Sequence, residues 1–474
     1  MRFVGLESTF GWLDAQFARV SASEGRFIAL RGRRQVGKSR MLTEWLARRG
    51  HPSLYYQALG RPLDQELASF AKAVARSSLG RLPAAVEAGA TWSTWQDALD
   101  ALGQAGAGAP LGDGPAVVVL DEFPYLLERD PGLEGTLQAA WDHDLQHTGI
   151  LLVIVGSDVS MMEALTTYGR PLYQRAVPRQ LEPLDPAEVA ELLGLDPTEA
   201  LDTYLMTGGF PKIVAERGEH ASREAFLAAA TADEAHPLVF TGAQMLDAEF
   251  PPHLGARAVL EAIGSGARAF SAIRTRAGVS ERTLAAALEQ LAAAGVITRS
   301  DPRASRRITK RTRYGVADPY LRFWLRFLAE RRTDVARGRG DLVAADIDYA
   351  WQDYAGSAIE PLVRSAIERL LPDPRFGEAR LVGAYWTRDH SVEVDLVGTD
   401  RDGPDAQVAF TGAVKWRASR PFDADDAGLA RRLGREVPGW QPTTSTVGVS
   451  RTGFTDDAAL DVALGPDELL AAWR

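Results

Sequence analysis

The residues best suited to chemistry fall in two short runs of the N-terminal third. Gly32-Arg33-Arg34-Gln35-Val36-Gly37-Lys38-Ser39 is an uninterrupted G-x-x-x-x-G-K-[ST]. It follows the apolar run Phe27-Ile28-Ala29-Leu30 and precedes a segment with Met41, Leu42, Trp45 and Leu46 at helical spacing. Glycines at these positions let backbone N–H groups close around a phosphate, and the helix that follows adds its positive end. Lys38 then reaches the β- and γ-phosphates, and Ser39 ligates Mg²⁺. The spacing predicts a nucleotide partner, with ATP and Mg²⁺ as cofactors, contacted by residues 32–40 including Arg40.

The second run is Val117-Val118-Val119-Leu120-Asp121-Glu122. Apolar residues followed by an acidic pair put two carboxylates at the C-terminal end of a strand, where α/β sheets bind ligands. Asp121 is the expected metal-shell carboxylate, and Glu122 the base that orients the attacking water. The next strand ends at Gly156-Ser157-Asp158. Ser157 is either a polar sensor of the γ-phosphate or the N-cap of a helix over Met161–Leu165. Arg170, Arg175 and Arg179 follow. Any one of them is a candidate for neutralising transition-state charge, and Arg175 is the one carried forward.

These groups require a scaffold. Phe27–Leu30, Ser53–Tyr56, Ala116–Leu120 and Ile150–Val155 read as strands, and the β-branched runs suit strands covered on both faces. Helical patterns lie between them, so the class is α/β with a parallel sheet. The 83 residues from Lys38 to Asp121 leave room for another strand, which places the sheet in the additional-strand type of P-loop fold.

The chain has 474 residues, enough for about three domains at roughly 100–200 residues each. Hydrophobic content of 46% and charged content of 24% exclude a wholly disordered or collagenous chain. No cysteine is present, which excludes disulfides, thiolate zinc sites and a cysteine nucleophile. No apolar run approaches the roughly 20 residues of a membrane span, and the acidic N-terminus is unlike a signal peptide. A cytoplasmic protein with no membrane partner is expected. The net charge is −10, yet Arg299–Gly340 holds 13 Lys and Arg against 4 Asp and Glu. Such a basic island is a candidate polyanion footprint.

After Leu184 the pattern turns helical, with candidates over Pro186–Leu195, Glu199–Thr207 and Arg223–Asp233. From Leu254 to about Phe327, short helices, a turn at Gly278, a longer helix over Glu281–Ala294 and a basic strand pair match a winged helix-turn-helix. Arg299, Arg303, Arg306, Arg307, Lys310, Arg311 and Arg313 crowd its wing, and Arg282 lies near the start of the expected recognition helix. Two readings stay open: duplex DNA bound through Arg282, Arg306, Arg307, Lys310 and Arg311, or a wing docked on the acidic remainder of the chain. Tyr320, Phe323, Trp324 and Phe327 recur at helical spacing and read as a core helix. A helix over Ala355–Leu371 and strand-like runs at Ala379–Tyr385, Val392–Val397, Val408–Trp416 and Thr446–Val449 complete an α/β ending. The domain map is 1–183 ATPase core, 184–250 helical lid, 251–330 winged helix, 331–345 linker and 346–474 C-terminal domain.

Phe3-Val4-Gly5-Leu6-Glu7, the Gly32–Ser39 loop, Leu120-Asp121-Glu122-Phe123, Gly156-Ser157 with Met161-Met162-Glu163, Leu172-Tyr173-Gln174-Arg175 and Gly208-Gly209-Phe210-Pro211 resemble the archaeal-type P-loop ATPases. These are relatives of the AAA+ and STAND NTPases. The resemblance implies that Val4 and Gly5 lie against adenine and that Gly209 and Pro211 belong to a nucleotide lid. Leu6 departs from the arginine common in the family. The resemblance also implies a winged helix and a C-terminal domain similar to PD-(D/E)xK nucleases. There Asp395 and Lys415 match, but the Glu of Glu-x-Lys is Ala413, on the same strand face as Lys415. Glu393 and Glu360 are the carboxylates placed to compensate. A retained fold without cleavage is the expectation.

Two function classes follow: a DNA-associated ATPase coupled to its C-terminal module, or a STAND-like nucleotide switch acting through protein partners. Both need Lys38, Asp121 and Glu122, and neither oligomeric state nor pathway is legible.

Overall fold

The computed structural model describes residues 7–79, 82, 86, 91–106, 115–249, 255–305 and 311–474. They form two compact units that divide between Pro183 and Leu184.

In the first unit the β-branched runs become parallel strands: β1 (Arg26–Arg31), β2 (Ser53–Gln57), β3 (Ala116–Asp121), β4 (Ile150–Gly156) and β5 (Val177–Gln180). Their order is β2-β3-β4-β1-β5. Thus β4 lies between the strand feeding the glycine loop and the strand ending in Asp121, which is the additional-strand arrangement. Every residue of β3 and β4 is buried, as a sheet with both faces covered requires. Helix Lys38–Arg49 buries Met41, Leu42, Trp45 and Leu46 and stops at Gly50, whose φ of 65° is left-handed. Its Trp45 Nε1 donates to Asp14 Oδ1 at 2.9 Å, tying it to helix Glu7–Phe17. Leu67, Phe70 and Val74 of helix Leu63–Ala75 join an apolar core with Leu54, Tyr56 and Val118. β5 was not expected; its sequence Val-Pro-Arg-Gln is neither long nor apolar, and pairing with β1 alone makes it a strand.

The second unit begins with short capped helices. Asp185 and Glu188 make a reciprocal capping box on helix Pro186–Leu193, and Asp196 caps helix Pro197–Thr207. Further on, helices Gly255–Gly264, Phe270–Ala277 and Glu281–Ala293 precede an antiparallel hairpin of β6 (Ile297–Ser300) and β7 (Arg313–Val316). The aromatic segment is a core helix, Pro319–Phe327, with Tyr320, Phe323 and Trp324 buried. Its Trp324 Nε1 donates to Val239 O at 2.7 Å.

The stretch expected to be a linker, 331–345, is instead helical. Arg332–Ala336 is one short helix, and Gly340–Leu370 is a continuous helix of 31 residues. Val343, Ile347, Trp351 and Tyr354 are buried along it, so packing extends the helix one side of a boundary drawn from composition. A five-stranded sheet follows: β8 (Leu381–Trp386), β9 (Glu393–Thr399), β10 (Val408–Lys415), β11 (Ser445–Ser450) and β12 (Val462–Leu464). The order is β12-β11-β10-β9-β8. β8, β9 and β10 pair antiparallel, and β10, β11 and β12 pair parallel.

Candidate nucleotide site

The Gly32–Ser39 loop joins β1 to helix Lys38–Arg49. A Cβ on Gly32 would lie 2.6 Å from Leu181 O, so the loop can pass there only without a side chain. Gly37 has φ 93°, a left-handed turn that aims the following helix start at the loop. Gln35 also adopts positive φ, at 67°. Val36 is buried beneath the loop, Arg34 donates to the Tyr125 hydroxyl at 3.1 Å, and Arg33 and Arg40 lie on either side of the turn. Lys38 is 6% exposed, and its Nζ donates to Gly32 O at 2.6 Å and Arg33 O at 2.9 Å. Burial pulls the Lys38 ammonium down to about 8, and Glu122 and Asp121 work against that fall.

Asp121 is fully buried at the end of β3. Its Oδ2 accepts from Ser39 Oγ at 2.6 Å and from the Tyr55 hydroxyl at 2.6 Å; its Oδ1 accepts from the Glu122 N–H at 2.9 Å. Glu122 has φ 53°, a conformation rare for a residue with a side chain. Ser157 Oγ donates to Glu122 Oε2 at 2.9 Å. The helix cap is Asp158, the neighbour of Ser157; its side chain accepts from Met161 N–H at 2.8 Å. Four side chains from three segments therefore come together: Ser39 on the helix after the loop, Asp121 and Glu122 at the end of β3, and Ser157 after β4. Ser39 and Asp121 offer hard oxygens, one of them a buried carboxylate, which suits Mg²⁺ and its need for few protein ligands.

Each of the three candidate arginines has a partner in this structure. Arg175 makes a bidentate pair with Asp142, 2.7 Å through both Nε and Nη2, and also donates to the Pro171 and Tyr173 carbonyls. Those bonds pin the 171–176 loop and commit the guanidinium to it. Arg170 is likewise paired, with Glu134, and Arg179 stacks over the Trp12 ring. Val4 and Gly5 lie outside the described residues. Gly209 and Pro211 belong to the second unit, where Gly209 has φ 73° and a Cβ would meet Leu184 O. Pro211 opens helix Pro211–Arg217.

Residues 18–216 match the family model described as an ATPase domain predominantly from Archaea. The chain carries an archaeal-type ATPase domain. Residues 324–426 of the same chain match a second model, described as Archaea bacterial proteins of unknown function. The uncharacterized protein MJECL04 of Methanocaldococcus jannaschii is 23% identical over 419 residues, 87% of each chain. Among solved structures, the Walker-type ATPase PABY2304 of Pyrococcus abyssi is similar at TM-score 0.46 and 20% identity, over 68% of this chain and 96% of that one. The Aeropyrum pernix ORC2 protein, in ADPNP–ADP complexes, is similar at TM-score 0.42 and 14% identity, over 72% and 93%. No helix among the described residues is long and apolar enough to cross a membrane.

The second unit contains a cavity of about 480 Å³. Arg268, Arg313, Arg364, Glu360, Glu393 and Asp395 line it. Glu360 lies on helix Gly340–Leu370, and its carboxyl is pushed up by burial and by Asp395. Asp395 on β9 is also pushed up by burial, although its Oδ2 accepts from the Val414 N–H at 2.9 Å. Arg364 donates to Asp395 O at 2.9 Å and approaches Glu360 at 3.4 Å. Burial would raise Glu393, but Arg313 outweighs it and holds the carboxyl below its usual range. Lys415 is on β10 beside them but does not line the cavity.

The hairpin lies against this domain. Arg313 pairs with Glu393 at 2.5 Å and sits 4.4 Å above the Trp386 ring. Trp386 Nε1 donates to Arg311 O at 2.8 Å. Arg303 N–H donates to Ala384 O at 2.9 Å, and its side chain reaches Asp402 at 3.2 Å. Part of the basic island is thus spent inside the protein. Arg282 is exposed on helix Glu281–Ala293, whereas Arg306, Arg307 and Lys310 lie outside the described residues.

Tyr55 is a further site residue that lies outside both sequence motifs. Alternation along β2 buries Leu54 and Tyr56 and sends Tyr55 to the other face. Only the pairing of β2 with β3 brings its hydroxyl to Asp121.

Proposed function

We propose that the protein binds and hydrolyses ATP with Mg²⁺, in association with DNA, and couples its nucleotide state to the C-terminal domain. The convergence of Ser39, Asp121, Glu122 and Ser157 carries this reading. Ser39 and Asp121 would hold the metal. When bound, Mg²⁺ neutralises phosphate charge. Lys38 exchanges two loop carbonyls for phosphate oxygens, which restores the full ammonium that burial disfavours. Glu122 takes or orients the proton of the attacking water, and Ser157 keeps its carboxylate aimed.

The helix-turn-helix followed by a basic hairpin supports the winged-helix reading, and the cavity supports a degenerate PD-(D/E)xK-like site. Glu360, Glu393 and Asp395 come together there, but Ala413 supplies no carboxylate. Glu393 and Glu360, the two residues placed to compensate, each face an arginine instead. A specific observation favours the second reading, a STAND-like switch without DNA binding: Arg313 and Arg303 already contact this domain's carboxylates. ATP turnover with and without duplex DNA separates the two. Stimulation that fades steeply with salt supports the DNA-associated machine. Slow turnover, unchanged by DNA, with retained nucleotide supports the switch.

A further inference from the structure

We infer that Tyr55 is a positioning residue for the metal half of the nucleotide site, acting through Asp121. The inference rests on the Mg²⁺–ATP reading above and assigns a role to a side chain outside both sequence motifs.

The geometry is specific. Tyr55 stands on β2, whose residues pair in register with β3: Tyr55 with Val119 and Gln57 with Asp121. The ring therefore reaches from one strand along the next to the carboxylate at its end. Tyr55 and Ser39 each place a hydroxyl 2.6 Å from the same oxygen, Asp121 Oδ2. The Glu122 N–H takes the other oxygen at 2.9 Å. Asp121 is thus held from three directions: by β2, by the helix that follows the glycine loop, and by its own chain. A fully buried carboxylate needs such partners, because an unmet lone pair in the interior bears its whole desolvation penalty.

Each bond has a different consequence. Ser39 has one hydroxyl proton and gives it to Asp121, so the lone pairs of Ser39 Oγ remain for a cation. That orientation lasts only while Oδ2 stays in place. The Glu122 bond restrains Oδ1 and leaves the carboxylate free to swing about it. Tyr55 stops the swing from the β2 side. An aromatic ring with two side-chain torsions, rooted in a paired strand, does this at low entropic cost. Partners that orient metal ligands in this way typically change metal affinity about 10–100-fold when removed.

The test is Tyr55→Phe in the full chain, which keeps the ring and deletes the hydroxyl. The probe is a fluorescent, non-hydrolysable ATP analogue, titrated with MgCl₂. The inference expects roughly tenfold more Mg²⁺ for half-maximal tightening of analogue binding. Affinity in EDTA should stay close to wild type, because the Tyr55 hydroxyl meets Asp121 Oδ2 and Ser39 on the metal side of the site. An unchanged Mg²⁺ requirement overturns the inference. If wild type itself shows no Mg²⁺-dependent tightening, the nucleotide reading fails instead, so the two failures are distinct. A double-mutant cycle with Asp121→Asn covers any general loosening by Tyr55→Phe. Loss of the Tyr55 effect in the Asn background supports action through Asp121. Simple additivity overturns it.

Discussion

Arg313 of the hairpin and Glu393 of β9 form a 2.5 Å ion pair at the rim of the C-terminal cavity. The guanidinium is mostly covered, at 16% exposure, and the carboxylate is half exposed at 48%. A duplex binding at the hairpin must compete with this carboxylate for Arg313. Glu393→Gln should therefore raise duplex affinity at low salt. It should also steepen the slope of log affinity against log salt by about one unit, one added phosphate contact. Fluorescence anisotropy across a salt series reads both. An unchanged affinity and slope would show that the hairpin does not compete.

The basic residues themselves make a second prediction. Alanine at Arg306, Arg307, Lys310 and Arg311 together should weaken duplex binding about equally on unrelated sequences. The salt slope should flatten by roughly one unit per lost phosphate contact. Wild-type protein without DNA affinity at low salt would contradict the DNA-associated reading and leave the switch.

The capping box at Asp185 and Glu188 gives a pH dependence. Burial raises the Glu188 carboxyl from its ordinary 4.5 to about 7. Between these values the folded chain holds a proton that the unfolded chain has released, so stability falls as pH rises through the window. Glu188→Gln keeps an acceptor for the Asp185 N–H and removes the charge. The variant should melt a few degrees higher than wild type at pH 8, with the difference shrinking toward pH 4.5. Equal melting temperatures at pH 8 would contradict the raised carboxyl.

Much of the first unit is legible in the sequence because its signals are local. The Gly32–Ser39 spacing, the apolar run into Asp121 and Glu122, and the helical stripe through Trp45 each specify an element without help from distant residues. What escaped is set by tertiary pairing. Val177–Gln180 is a strand only beside β1, and Tyr55 meets Asp121 only because β2 lies next to β3. Arg175 looked catalytic by position, but its partner Asp142 lies 33 residues away in sequence. The helix through 340–345 was hidden by Gly338 and Gly340, which read as breakers, while packing of Val343 and Ile347 makes it helical.

The C-terminal cavity predicts an absence of cleavage. Gly412 pairs with Leu396, so Ala413 arrives one rung on, where the Val414 N–H bonds Asp395 and no second carboxylate projects from β10. Incubated with plasmid and linear DNA in Mg²⁺ and in Mn²⁺, the purified chain should leave both intact. Cleavage that disappears in Asp395→Ala would contradict the degenerate site and make Glu360 and Glu393 the next positions to substitute.

In the proposed mechanism, binding and hydrolysis are divided between Lys38 and Glu122, with Ser157 steadying the latter at 2.9 Å. The direct measurement is ATP affinity beside single-turnover hydrolysis in wild type, Lys38→Ala and Glu122→Gln. Lys38→Ala should lose nucleotide affinity, because the phosphates lose their buried cation. Glu122→Gln should bind ATP as wild type does and hydrolyse it slower by about 10²–10⁴-fold, the usual worth of a positioned general base. Full hydrolysis in either variant would contradict this division of roles.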